Sequence, residues 1–161
     1  MKTRGLLCAV FAAAVVLGCQ TPGSTDQQPL GTQLNCPHGQ CAVKVTVTSS
    51  CRAIVTDFDQ INVKFPVSTT ITWTLVNRFG CPQFEFRSRY PDVSIKFKGP
   101  NAQDAATEFG GGSPTPRTYV LIDNVTKNKT TFAYGITVYP VAGSPAGTTN
   151  LVLDPAIFND F

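Results

Sequence analysis

Histidine, methionine and tryptophan occur once each in this 161-residue chain, and charged residues make up only 14% of it. With His38 as the one imidazole, any Ser-His-Asp arrangement would have to be built on it. It lies between two close cysteines, Cys36 and Cys41, so it reads as a residue of a small braced loop and not as a general base. No glycine-rich phosphate loop is present. No window carries an apolar stripe at helical spacing, which argues against a helical bundle. The apolar run from Leu6 to Leu17 falls short of the about 20 residues that cross a bilayer. Neither sign of charge dominates once residues 1–18 are set aside. Thirteen Lys and Arg less Lys2 and Arg4 leave 11, against 10 Asp and Glu. So even a balance gives no support to nucleic-acid binding.

What is present at the start is a basic pair, Lys2 and Arg4, then the apolar run, then Gly18 directly before Cys19. That layout is the pattern of a secretory signal, expected to span residues 1–18. Its ending, Val16-Leu17-Gly18-Cys19, resembles the lipobox of bacterial lipoproteins, with Val and Leu where Leu and a small residue are commoner. The resemblance implies cleavage before Cys19 and a diacylglyceryl group on its thiol, with palmitate-type chains holding the protein to the cell envelope. Two or more acyl chains give lasting attachment, at about 0.8 kcal/mol per buried methylene. Gln20 stands where Asp typically retains such proteins at the inner membrane, so the resemblance favours the outer membrane.

From Gln20 to Asn35 the chain is rich in Pro, Gly, Ser, Thr and Gln, with almost nothing to bury. Residues 19–35 are therefore expected to be a lipidated, flexible tether. Residues 36–161 are enough for one domain with its own core. They hold four cysteines, Cys36, Cys41, Cys51 and Cys81, an even count that points to two disulfides in an exported protein. Three pairings are open. The preferred one joins Cys36 with Cys41 and Cys51 with Cys81. A metal site made from these thiols and His38 matches no zinc spacing.

Beyond Cys41 the period is two. Val43, Val45 and Val47 alternate with polar residues, as do Ile61, Val63 and Phe65, then Ile71, Trp73 and Leu75. Phe84 and Phe86 follow the same rule, then Val93, Ile95 and Phe97, and finally Phe132, Tyr134, Ile136 and Val138. This is the pattern of strands with one dry and one wet face. Turn residues between the runs predict an all-β sandwich or barrel. The stretch Gly99–Arg117, with three successive glycines, reads as a long loop containing a helical turn at Ala102–Glu108.

The order of runs resembles the cupredoxin-like family over about Cys41–Leu153. Three pieces carry the likeness: Ile71-Thr72-Trp73-Thr74-Leu75, Cys81-Pro82-Gln83-Phe84-Glu85-Phe86, and Phe132 to Val138. The resemblance implies a Greek-key β-sandwich of two sheets, about seven to nine strands in total. It does not extend to copper. Gln83 stands where the family's first histidine ligand would be, and after Tyr134 there is no Cys, His or Met. A blue-copper centre needs two imidazoles and a thiolate. No cofactor and no metal are expected.

Two surface groups remain. Asp57, Asp59 and Asp154 could serve an envelope hydrolase or lyase if two of them met in one pocket; as turn residues they need no such role. Glu85, Arg87, Arg89, Lys96 and Lys98 would share the outer face of a hairpin turning at Tyr90-Pro91-Asp92. Four cations against one anion make Arg87, Arg89, Lys96 and Lys98 a candidate face for an anionic partner, either an envelope protein or anionic lipid. The expected protein is thus a non-catalytic binding or adaptor module anchored in the envelope, with a metal-handling relative as a further alternative.

Overall fold

The computed structural model describes residues 32–160 except Pro37 and Tyr90. The expected signal, Cys19 and the expected tether as far as residue 31 lie outside the described residues. In chain order the elements begin with β1 (Gln33–Cys36), β2 (Gln40–Val47), β3 (Ile54–Thr56), β4 (Gln60–Lys64) and β5 (Thr69–Val76). Then come β6 (Phe84–Glu85), β7 (Ile95–Lys98), α1 (Ala102–Glu108), β8 (Phe109–Pro114) and β9 (Thr118–Asp123). The chain closes with β10 (Thr130–Pro140), β11 (Leu151–Leu153) and β12 (Ala156–Asp160).

Two sheets face each other, as the alternation requires. One runs β3-β2-β5-β9-β8; the other runs β1-β4-β12-β10-β11, with β6 and β7 also on β10. The pairing is mixed: β2 with β5, β1 with β4 and β4 with β12 are parallel, the rest antiparallel. Val43, Val45, Val47, Ile71, Trp73 and Leu75 project inward from one sheet. Ile61, Val63, Phe132, Tyr134, Ile136 and Ile157 project from the other, and all are buried. Trp73 joins the layers: its indole N–H donates to the Tyr134 hydroxyl at 3.2 Å, and the rings meet edge to face 5.6 Å apart. Truncating such a side chain to Ala costs about 3 to 5 kcal/mol.

The molecule is therefore an all-β sandwich, with twelve strands among the described residues where the resemblance implied seven to nine. The extra ones include short edge pieces such as β1, β3 and β11, too brief for a period to register. Three expectations are corrected. Gln33–Asn35, assigned to the tether, belong to β1 and pair with Gln60–Asn62. Gly99–Arg117 is not one loop: after the expected turn of helix, Phe109–Pro114 form an edge strand on β9. Its glycines hide the alternation, and Gly111 and Gly112 take φ of +90° and +75° where the register shifts. The supposed hairpin is absent too. β6 and β7 each pair antiparallel with β10, at Glu85 opposite Tyr139 and Ile95 opposite Ile136, and so lie end to end along one neighbour.

Candidate functional site

The disulfides are those preferred from the sequence, Cys36–Cys41 and Cys51–Cys81. They mark opposite ends of the sandwich. Cys36 stands opposite Val63, which faces Asn159 on β12. Cys51 and Cys81 lie in the loops after β2 and β5. His38 is exposed in the loop closed by the first disulfide.

The basic strand face comes together in part, and much of its charge is already matched. Arg87 donates through Nε to Glu85 at 2.9 Å, through Nη1 to Asp92 at 3.3 Å and through Nη2 to the Pro140 carbonyl at 3.0 Å. It also lies over the Tyr139 ring, 5.0 Å from the centroid. Burial, and next the Asp92 charge, raise the Tyr139 phenol above its ordinary value, with Arg87 opposing. Lys98 pairs with Asp154 across Gly135, where a Cβ would stand 2.8 Å from Lys98 Cε. Lys96 Nζ donates to the Pro91 carbonyl at 2.8 Å. Arg89 and Lys96 are exposed.

The three expected acids have separate tasks. Asp57 accepts from the Lys44 N–H at 2.9 Å, Asp154 holds Lys98, and the Asp59 carbonyl accepts from the Ala156 N–H at 3.1 Å. Asp154-Pro155 joins β11 to β12.

Sequence reading missed a buried polar cluster at the Cys36–Cys41 end. Glu108, at the end of α1, is fully buried, as are Asp123 on β9 and Asn159 on β12. Glu108 Oε1 accepts from the Thr126 N–H at 2.8 Å, the Lys127 N–H at 3.3 Å and Asn159 Nδ2 at 2.8 Å; Oε2 accepts from the Thr126 hydroxyl. This side chain thus ties Thr126 and Lys127, in the β9–β10 loop, to the core. Asp123 Oδ1 accepts from the Val125 N–H at 2.9 Å, while Oδ2 has no partner. Burial, and then the neighbouring Glu108 carboxyl, push the Asp123 carboxyl up to about 7, against the pull of the Val125 and Asn159 bonds. A signal did exist: Tyr119, Leu121 and Asp123 alternate inward, so period two already placed this acid inside.

The opposite end is built differently. Its loops, residues 48–53, 77–83, 115–117 and 141–150, contain Arg52, Arg78 and Arg117 and no Lys, Asp or Glu. Phe79 stands at their tip, 103% exposed. The turn carrying it closes with the Cys81 N–H donating to the Arg78 carbonyl at 3.1 Å and Gly80 at φ +85°, the pattern of a type II turn. Asn77 clamps the turn's base through two bonds to the Phe84 backbone, of 2.8 and 2.9 Å. The second disulfide fixes its far side. Two shallow grooves flank it. One of about 420 Å³ lies between Gly80–Gln83 and Val141–Pro145, and one of about 400 Å³ lies between Ser50–Arg52 and Ala146–Thr149. A third, about 290 Å³, runs between Glu85–Arg89 and Pro114–Pro116. None of the three is lined by Asp57, Asp59 or Asp154.

No family model matches the chain, and no curated protein is significantly similar to it. The fold class therefore stands on the geometry alone, as an all-β sandwich braced by two disulfides.

Proposed function

We propose that this is a cell-envelope lipoprotein, anchored through acyl chains on Cys19, whose cupredoxin-like sandwich binds a partner and catalyses no reaction. The observation that carries the reading is the order of parts. An apolar run closed by Val16-Leu17-Gly18-Cys19 leads into a polar tether and then a disulfide-braced domain. The outer membrane, favoured by Gln20, is the proposed site of attachment. Support for binding over hydrolysis comes from how the acids are used. Asp57 and Asp154 hold neighbouring groups at the surface, and Glu108 and Asp123 are sealed from solvent where no substrate reaches them. Binding needs only a surface, and charge on this surface is sorted by position.

Radiolabelled palmitate fed to producing cells should enter the protein and be lost in Cys19→Ser. Unlabelled protein released into the medium would overturn the anchoring. Cross-linking in intact cells would then name the partner, and Arg89→Ser with Lys96→Ser tests the strand face without touching the structural Arg87.

A further inference from the structure

We infer that the end of the sandwich carrying Phe79, Arg52, Arg78 and Arg117 docks on an anionic phospholipid surface, with Phe79 entering the headgroup region. The inference rests on the envelope reading above and deepens it, by naming the partner and the face that meets it.

Four observations converge. First, the four loops at this end carry charge of one sign, and Asp92 beside them is held by Arg87; Arg117 Nη2 donates to the neutral Gln83 Oε1 at 2.9 Å, which leaves its charge unmatched by that contact. Three arginines are spread over three loops, and the loops between them are neutral and small: Ser49-Ser50, Gly80, and Ala142 to Asn150. Glu85, in the strand that follows the Phe79 loop, is tied to Arg87. Spread cations without a shaped cavity suit a plane of phosphates better than one bound anion, and guanidinium groups meet phosphate oxygens in pairs. Second, Phe79 is a large apolar side chain wholly in water, the costliest place for it unless something covers it. Third, its loop is pinned at both ends by Asn77 and by the disulfide, so little order remains to be lost on insertion. Fourth, the tether permits the pose. Thr32 precedes Gln33, which is level with Gln60, Ala156 and Ala133, partway along β10. From there to Pro140 is seven residues, or about 23 Å of strand. The twelve residues from Gln20 to Gly31 can extend to about 40 Å. An anchored Cys19 therefore lets this end turn down onto the same bilayer.

The test uses the mature chain, residues 19–161 with Cys19→Ser, so that no acyl chain contributes. It should sediment with vesicles of phosphatidylglycerol and phosphatidylcholine, more weakly as salt rises, and not with phosphatidylcholine alone. Phe79→Ser should weaken binding about tenfold. Each arginine near an anionic surface is worth about a fivefold change, so the Arg52→Ser, Arg78→Ser, Arg117→Ser triple variant should lose about a hundredfold. Arg89→Ser with Lys96→Ser should change it less than twofold. Equal melting temperatures establish that the variants fold. Absence of binding to anionic vesicles, an unaffected Phe79→Ser, or loss confined to the Arg89 and Lys96 variant would each overturn the inference. Capture by an envelope protein without vesicle binding would do the same. Palmitate labelling is a separate readout, so anchoring and docking can fail independently.

Discussion

The two ends of the sandwich solve opposite problems with similar parts. Each has a disulfide and several loops, yet one draws its charge inward and the other turns it out. At the Cys36–Cys41 end, Glu108, Asp123 and Asn159 sit in the core; the two acids hold the β9–β10 loop by bonds to its backbone, and Asn159 donates to the acids. At the Cys51–Cys81 end the loops have no acid, their arginines face water, and an aromatic ring projects beyond them. Buried polar groups must be satisfied or they destabilise, so the first arrangement makes an end that substitution should harm. Exposed groups cost little to change, so the second makes an end that substitution should leave folded and disarm.

The largest effect should therefore follow Glu108→Ala. It leaves the N–H groups of Thr126 and Lys127 and the Thr126 hydroxyl without an acceptor, and the Asn159 amide with only its longer bond to Asp123 at 3.5 Å. At about 1 to 3 kcal/mol for each orphaned donor, partly relieved by water, urea unfolding should show a loss of about 3 to 5 kcal/mol. Phe79→Ser at the other end should change stability by less than about 0.5 kcal/mol. If the two losses match, the contrast between the ends is wrong.

Next comes pH. The Asp123 carboxyl titrates near 3.8 when unfolded and about 7 when folded. Between those values the folded state binds the extra proton, so the Asp123 contribution to stability is fully present below about 4, falls as pH rises and is lost once pH passes about 7. The span is up to about 4 kcal/mol at 1.36 kcal/mol per pH unit. Asp123→Asn supplies an N–H in place of the acid proton and should flatten the slope. A slope unchanged in that variant would mean that another group sets it.

The disulfides should differ by loop length. Cys51–Cys81 closes a separation of 30 residues and Cys36–Cys41 one of 5. Chain entropy assigns about 3 to 4 kcal/mol to the first and about 2 kcal/mol to the second. Melting of the two double Cys→Ser variants checks the order. Smallest is the difference within the basic face: Arg87→Ser should cost about 1 kcal/mol through Glu85, Asp92 and Pro140, and Arg89→Ser almost nothing. Equal effects would mean that the Arg87 contacts contribute no net stability.

How far could the molecule be read beforehand? The inward sets Val43-Val45-Val47 and Ile71-Trp73-Leu75 were plain, because alternation is a local property of a strand with one dry face. Asp123 was legible in retrospect, at the end of the Tyr119-Leu121 series. Glu108 was not: it ends a seven-residue helix too short to show a face, and its partners lie 18 to 51 residues away. Nor was the matching of Arg87 and Lys98, since residue counting gives the face of a charge and not the acid opposite it.

From the sequence by itself come the sandwich class, the inward faces of the main strands and the count of two disulfides. Each depends on neighbours along the chain, or on a residue's type and the compartment it implies. Only the tertiary structure decided that β6 and β7 lie end to end on β10, that two acids are sealed at one end, and that three arginines share the other with Phe79. Those facts depend on which distant segments pair and on what a side chain meets after packing. Sheet register and loop convergence are long-range outcomes, so no short stretch of sequence records them.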